Sequence, residues 1–312
     1  IGDSFQHLTG QEEWIGGVIT AIIVFVVIIG GIRSIGHVAE KLVPTMAGLY
    51  ILMALIALIL NYDELPATFR LIFDGAFNEQ AATGGFLGAA LIMAIRAGVA
   101  RGLFSNEAGQ GSTPIAHAVA RTTDPALQGR FAMMGTFIDT IIVCTMTALV
   151  ILTVKGDFIA TDPVTGVVTP QLHAWSSDLR GFDMTAGAFA AVFPWEIGHI
   201  AFGALIASIA LVLFVFTTLL TWSYYGERAV TFAFGDKAVL PWRVLWCIVI
   251  AVGSFQELEL VWRLGDISNA AMAIPNCIAL ALLSGVVFQL ARGNRSAGKD
   301  HGRETPRELI DD

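Results

Sequence analysis

The sequence predicts an all-α, polytopic membrane protein with about seven transmembrane helices, one of them discontinuous. Hydrophobic residues make up 55% of the chain, charged residues only 14%, and the mean hydropathy is +0.70. Crossing a bilayer takes roughly 20 apolar residues in one helix, and a soluble protein of 312 residues would not contain so many apolar runs of that length. The predicted spans, in chain order, are Trp14–Ile32, Leu42–Asn61, Phe86–Leu103, Phe131–Val154, Gly198–Ser223, Val244–Trp262 and Ser268–Ala291.

Positive charge alternates between the connections that join these spans. Lysine and arginine accumulate in the first, third and fifth connections and in the C-terminal tail, whereas aspartate and glutamate dominate the others. Because Lys and Arg favour the cytoplasmic side, we expect an outside N-terminal stub and a cytoplasmic tail in a plasma membrane, the inner membrane of a bacterium. The chain is predicted to be one transmembrane domain, 1–312, whose tail at 292–312 is disordered.

Composition and motifs exclude several classes of protein. The net charge is −8 and no basic stripe occurs, which argues against a nucleic-acid partner. The three cysteines lie in apolar segments without a metal-binding or disulfide spacing, and are predicted to be small hydrophobic residues. The sequence contains no zinc-protease, nucleophile-elbow, phosphate-loop or dinucleotide motif. We therefore expect neither an enzyme nor a bound cofactor or metal.

The longest connection, Asp157–Trp195, is expected on the outer face. Its Thr161–Gly166 stretch, which contains proline and glycine, indicates turns, and Phe182–Pro194 is predicted to form a short interfacial helix.

A polar, glycine-rich stretch interrupts the third span and continues beyond it. Three glycines fall within Gly102–Gly111, and glycine costs a helix about 1 kcal/mol relative to alanine. Thr113 and Pro114 form a helix start signal, so a second short helix over Ile115–Arg121 is predicted. We expect Ser105–Gly111 to be non-helical, with the following helix start suited to a carboxylate and the preceding helix end suited to a cation. The alternative is a tight cytoplasmic loop followed by an ordinary capped helix.

Asp139 lies more than one turn inside the fourth span. Carboxylates within a membrane are costly and usually mark ion or substrate pathways. Thr140 and Thr147 are predicted to lie on or near the same face. The alternative is a structural carboxylate paired with Arg96, Arg101 or a backbone amide.

Hydroxyl groups and a tryptophan cluster near the end of the fifth span. Thr218 and Trp222 are four residues apart and share a helix face, and Thr217 adds another hard oxygen ligand for a small cation. The alternative for Trp222 is an interfacial aromatic belt. In the last span, Pro275 is expected to kink or break the first turns, with Asn276 satisfying a freed carbonyl.

Several of these motifs together resemble the alanine or glycine:cation symporter family. The stretch GLFSNEAGQGSTPIAH over Gly102–His117 is similar to the family's hallmark. Further matching motifs, in the same order, are GGIR at Gly30–Arg33, EKLVP at Glu40–Pro44, FIDTIIVC at Phe137–Cys144, Thr217 and Thr218 followed by WSYYGER at Trp222–Arg228, and Pro275–Asn276. The resemblance runs from about Gly16 to Leu290.

The resemblance implies a LeuT-type fold of inverted five-helix repeats. Aligned that way, the chain would contain the last two helices of the first repeat and all five of the second, about the C-terminal two-thirds of the fold. We therefore expect the family's first broken helix to lie outside this sequence.

The resemblance also implies sodium-coupled symport of a small neutral amino acid, alanine or glycine, into the cell. Proton coupling is the alternative, and a channel or a membrane enzyme are the competing classes. The implied partners are the amino acid, Na⁺ as the coupling ion and the lipid bilayer. Asp139 belongs to a family motif, and we include it as an ion-binding candidate with Thr217 and Thr218. The implied substrate-binding residues are Phe104, Ser105, Asn106, Glu107, Ala108, Gly109, Thr218 and Trp222.

Overall fold

The computed structural model describes residues 2–77, 87–122, 124–162, 166–179, 181–256 and 258–292. It is mainly helical, as predicted. The helices are α1 (Gly2–Thr9), α2 (Glu13–Ile29), α3 (Gly31–Leu60), α4 (Leu65–Phe77), α5 (Leu87–Asn106), α6 (Thr113–His117), α7 (Pro125–Phe137), a π-helical segment (Ile138–Cys144), α8 (Thr145–Thr153), α9 (Gly181–Val192), α10 (Phe202–Phe234), α11 (Val239–Gly253) and α12 (Leu258–Ala291).

The prediction of a purely α-helical chain is wrong for the long connection between α8 and α10. Strands β1 (Lys155–Thr161) and β2 (Val168–His173) form an antiparallel hairpin, and β3 (Glu196–Ile197) pairs with β4 (Ile200–Ala201). Of the turn predicted from Thr161–Gly166, residues 163–165 lie outside the described part of the chain; beside them the Asp162 amide donates to the Val167 carbonyl at 2.9 Å. β1 does not alternate strictly between apolar and polar residues, and β2 contains a proline, which disfavours a strand, so periodicity does not reveal these strands. The predicted interfacial helix corresponds to α9.

Four helical segments among the described residues are long and apolar enough to cross a membrane: Gly31–Leu60, Pro125–Thr153, Phe202–Phe234 and Glu259–Leu290. Trp14–Ile29 is apolar but shorter. The fold is therefore that of a multi-spanning membrane protein, and the number seven stays a prediction. Of the predicted tail, residues 293–312 lie outside the described part of the chain.

Several predicted helix boundaries are wrong because helices continue past the apolar runs. The first connection, with Arg33 and Lys41, is the first part of α3, and the predicted loop residue Arg228 lies inside α10. The predicted span Val244–Trp262 is interrupted at residues 254–256, after the end of α11. Arg263, expected in a loop, is in α12 and pairs with Glu259 one turn earlier at 2.5 Å. Polar residues with good helix propensity can extend a helix beyond the membrane without any change in backbone geometry.

Pro275 lies deep inside α12 rather than in its first turns, and the helix continues past it. An interruption of the last span at Pro275 is therefore wrong. Proline removes one backbone hydrogen bond, which a long helix in a membrane tolerates when neighbouring groups satisfy the freed carbonyl.

One apolar core forms where α3, α8, α9 and α10 meet. The Tyr50 ring packs edge-on against Phe189 and Phe214, with centroids 5.7 and 5.9 Å apart. Its hydroxyl bonds the Thr147 hydroxyl at 2.6 Å. Thr147 thus contacts α3, whereas Asp139 is hydrogen-bonded to the end of α5.

A second core joins α2, α3, α10 and α11 around Val24, Ile28 and Leu220. Buried Glu227 on α10 accepts from Arg243 on α11 at 2.7 Å, and Arg243 also donates to the Ile29 carbonyl at the end of α2 at 3.0 Å. A buried ion pair is costly to break, so the contacts of Arg243 with Glu227 and with the Ile29 carbonyl fix how α2, α10 and α11 meet.

Helices α9 and α10 approach so closely at Gly203 that only glycine fits there. A Cβ at this position would lie 1.9 Å from the Phe189 carbonyl oxygen, a backbone atom that a side-chain rotation cannot move. Gly48 in α3 offers a matched control, because a Cβ there meets nothing within 4 Å.

We predict that Gly203→Ala lowers the apparent melting temperature of the detergent-solubilised full-length protein, because overpacking costs about 1–3 kcal/mol. Gly48→Ala should leave the melting temperature unchanged or raise it, since alanine is the better helix former. Equal melting temperatures for the two variants would contradict the close contact between α9 and α10.

Candidate functional site

The predicted interruption of the helix is confirmed. Residues 107–112 are non-helical and connect α5 to α6, and we call this segment the break. Its bounds differ from the prediction at both ends, because Ser105 and Asn106 complete the last turn of α5. The second helical piece is also shorter than predicted and ends at His117.

Positive backbone dihedral angles explain why the helix stops here. Gly109 has φ +80° and Gly111 has φ +82°, values that glycine adopts without strain. A Cβ on Gly111 would also lie 2.9 Å from the Asn276 amide oxygen on α12. Glu107 has φ +56°, which is uncommon for a non-glycine residue and costs on the order of 1–3 kcal/mol. Other contacts must therefore hold Glu107 in this conformation.

Side chains satisfy backbone groups that the break releases. The Gln110 amide donates to the Leu103 carbonyl at 2.7 Å, and the Asn106 side-chain oxygen accepts from the Ala108 amide at 2.9 Å. Asn276 donates to the Gly109 carbonyl at 2.9 Å. The expectation that Asn276 satisfies a freed carbonyl is thus confirmed, although the carbonyl belongs to the break and not to the turn around Pro275.

The Glu107 carboxylate is the electrostatic centre of the break. It accepts from the indole Nε1 of Trp222 at 2.7 Å, from the Ser112 hydroxyl at 2.7 Å and from the Thr113 hydroxyl at 3.4 Å. The start of α6 was predicted to suit a carboxylate. In the structure, the carboxylate beside α6 is that of Glu107. Trp222 lies about three turns from the end of α10 and contacts the break, so it does not stand in an isolated aromatic belt.

Asp139 joins the last turn of α5 to the π-helical segment. The Ser105 hydroxyl donates to Asp139 Oδ2 at 2.7 Å, and the Thr140 hydroxyl lies 3.4 Å from the same oxygen. Asn106 donates to Thr140 at 2.8 Å. The alternative pairing of Asp139 with Arg101 is wrong, because Arg101 pairs with Asp266 at 2.6 Å and lies over the Trp262 ring at 4.3 Å. π-Helical turns are rare and occur frequently at functional sites, and this one was not predicted from the sequence.

The two threonines predicted to bind an ion face different surroundings. Thr217 is buried, and its hydroxyl lies 2.9 Å from the Phe214 carbonyl and 3.9 Å from the Met46 sulfur on α3. Thr218 is exposed and donates to the same Phe214 carbonyl at 2.9 Å. Asp139 is bonded instead to residues at the end of α5, so the structure does not collect the predicted ion-binding residues into one cluster.

A cavity of about 610 Å³ lies between the break, α7 and α12. Four of the predicted substrate-binding residues line it, together with Asn276, Thr140 and the apolar side chains of α7. Phe104 instead packs on Trp262 with ring centroids 5.2 Å apart. Trp222 reaches the break through Glu107. The four predicted residues in the cavity wall are Asn106, Glu107, Ala108 and Gly109.

Ser112 and Gln110 have roles in the break that were not predicted from the sequence. Both lie inside the glycine-rich motif, but neither residue type signals a partner by itself. Small hydroxyl and amide side chains next to a helix interruption are a usable signal, because they satisfy backbone groups that the interruption releases.

A helix interrupted by a polar segment, in hydrogen-bond contact with neighbouring apolar helices, is a feature of secondary transporters among membrane proteins. The chain belongs to the sodium:alanine symporter family, whose sequence pattern matches residues 1–307. This is a family of transporters and not of enzymes.

Curated relatives agree with this family assignment. The chain is 42% identical to the sodium/alanine symporter AgcS of Methanococcus maripaludis over 97% of this chain and 61% of the relative. It is 34% identical to the probable sodium/glutamine symporter GlnT of Bacillus subtilis, over 95% and 57% of the two chains. It is also 34% identical to the putative sodium/proton-dependent alanine carrier protein YrbD of B. subtilis, over 91% and 57%. The chain thus spans about three-fifths of the length of these relatives.

Proposed function

We propose that the full-length protein is a secondary active transporter that couples sodium entry to the import of a small neutral amino acid, alanine or glycine. The observation that carries the proposal is the break between α5 and α6, which places polar backbone and side chains beside a cavity within apolar helices. Membership of the sodium:alanine symporter family and the similarity to a named sodium/alanine symporter support it.

The chemistry of the cavity suits a small zwitterion. Asn106 supplies an amide, Ala108 and Gly109 supply backbone groups without a bulky side chain, and α7 supplies an apolar wall. A site with few polar groups and an apolar lining fixes orientation by hydrogen bonds and selects size by packing. We propose that the amino acid binds along this stretch, with Trp222 and Thr218 on α10 completing the site and Phe104 and Ser105 bordering it.

The proposed ion-binding groups are neutral hydroxyls and one carboxylate. Hard oxygen ligands such as Thr217, Thr218 and Asp139 suit small hard cations. Because the structure bonds Asp139 to the end of α5 and not to the two threonines, we propose Asp139 and the threonine pair as separate candidate sites. Proton coupling is the second candidate, because Asp139 is a carboxylate inside a helical span and carboxylates in spans serve as proton relays. The similarity to a putative sodium/proton-dependent carrier favours keeping this candidate.

Uptake by the full-length protein in proteoliposomes tests the function. We predict that an inward sodium gradient drives accumulation of labelled alanine or glycine and that an equal potassium gradient does not. If a proton gradient without sodium drives accumulation equally well, the coupling ion is the proton and not sodium. Asp139→Asn should then abolish proton-driven accumulation. Uptake that never exceeds the outside concentration under any gradient would contradict a coupled transporter and indicate a passive pore.

The same uptake measurement distinguishes the contributions of Thr217 and Thr218 to ion binding. We predict that Thr218→Ala raises the sodium concentration for half-maximal uptake about tenfold, because losing an oxygen ligand costs on the order of 1–3 kcal/mol. Thr217→Ala is the comparison, since its hydroxyl lies toward Met46 and its effect should be smaller. If both variants keep the native sodium dependence at normal expression, the ion site lies elsewhere and Asp139 becomes the next residue to replace.

We propose that the hairpin between α8 and α10 faces the outside and that the N-terminal stub lies on the same side. The alternation of Lys and Arg between connections supports this orientation. A single cysteine at Thr169 in β2, exposed in the structure, should react with a membrane-impermeant maleimide added to intact cells. A cysteine at Lys237, in the turn after α10, should react only after permeabilisation. The reverse labelling pattern would invert the topology.

A further inference from the structure

Trp222 is held by one polar contact and one ring contact. Its indole has a single donor, Nε1–H, and that donor bonds Glu107 Oε1 at 2.7 Å. The ring also packs edge-on against Tyr225, with centroids 5.9 Å apart. An aromatic side chain has two rotatable bonds, so a hydrogen bond at one edge and a ring at another leave it little rotational freedom. The orientation of Trp222 therefore depends on the position of the Glu107 carboxylate.

The Glu107 carboxylate is largely occupied by its own chain. An ionised carboxylate offers about four acceptor positions, and donors from Trp222, Ser112 and Thr113 approach three of them. The positive φ of Glu107 is retained although it is strained, which indicates that these contacts require the carboxylate at this place. Three donors from the chain itself therefore occupy most of the acceptor positions that a substrate ammonium group could use.

We propose that Glu107 is a positioning residue that sets substrate size by orienting the Trp222 indole, and that it is not a ligand of the substrate. This inference rests on the proposed function and revises the role that the family resemblance implies for Glu107. Glu107 lines the cavity of about 610 Å³ beside the break, while Trp222 approaches the same carboxylate from α10. A rotation of the indole would change the boundary of the site on the α10 side and admit larger side chains.

A double-mutant cycle on the full-length protein tests the proposal through transport selectivity. Glu107→Ala and Trp222→Phe should each raise the ratio of kcat/KM for glutamine to kcat/KM for alanine by about tenfold, the effect of releasing one strong hydrogen bond. The double variant should show no larger ratio than Trp222→Phe alone, because both changes remove the same interaction. Glu107→Gln, whose amide oxygen still accepts from the indole, should retain selectivity near the native value.

Trp246→Phe is the matched control. Trp246 donates its indole N–H to the Leu219 carbonyl at 3.2 Å and makes no hydrogen bond to the break. Its replacement should leave the selectivity ratio unchanged. Two results would overturn the proposal: an additive loss of alanine affinity when Glu107→Ala is combined with Trp222→Phe, which indicates direct substrate contact, or a Glu107→Gln variant as altered as Glu107→Ala.

A measurement that does not require transport separates this proposal from the proposed function. Full-length protein labelled with 5-fluorotryptophan gives a ¹⁹F resonance for Trp222, assigned by its loss in Trp222→Phe. Glu107→Ala should shift that resonance and leave the remaining tryptophan resonances in place, which also shows that the variant is folded. An unshifted Trp222 resonance would overturn the positioning role. A shift in a protein that shows no coupled uptake would refute the proposed function and leave the positioning role intact.

Discussion

The organisation around the break follows from one constraint: backbone groups that leave a helix inside a membrane must find partners within the protein. Each unsatisfied group costs several kcal/mol in such surroundings, and the break lies among long apolar helices. The contacts that answer this constraint come from different elements. Gln110 and Asn106 act locally, while Asn276 reaches the Gly109 carbonyl from α12. The packing of distant helices is therefore coupled to the conformation of six residues.

The same constraint governs where the chain tolerates carboxylates. Glu107, Asp139 and Glu227 all lie in or beside helices of the apolar bundle, and each accepts hydrogen bonds from neighbours. Glu227 has an arginine partner and joins three helices, which is a structural role. Glu107 and Asp139 are instead bonded by neutral donors. The charge of Glu227 is therefore neutralised by an arginine, whereas the hydrogen bonds of Glu107 and Asp139 come from hydroxyl and indole donors.

Much of the site could be predicted from sequence because its signals are local. Glycine at positive φ and the Thr113–Pro114 start signal belong to the residues that form the break, so the interruption and its two flanking helices could be expected. The start was misplaced by two residues, because Ser105 and Asn106 gain bonds to Asp139 and Thr140 while remaining helical. A π-helical segment differs from an α-helix in which backbone carbonyl accepts a hydrogen bond from each amide. No residue type specifies that pattern. Ser105 as a partner of Asp139, and Asp266 as the partner of Arg101, are more than 30 residues away in sequence, so only the tertiary structure identifies them.

The hydrogen bonds of the break also limit how it can move. The end of α5 is tied to the π-helical segment through Ser105 and Asn106, whereas Glu107 is tied to α10 and Gly109 to α12. A rigid-body motion of α5 alone would break bonds at all of these places and expose unsatisfied groups to an apolar environment. A motion that carries the π-helical segment together with α5 keeps the bonds of Ser105 and Asn106 and concentrates the change at Glu107 and Gly109. Both residues have positive φ, so the conformational change would fall on the part of the chain that already departs from helical geometry.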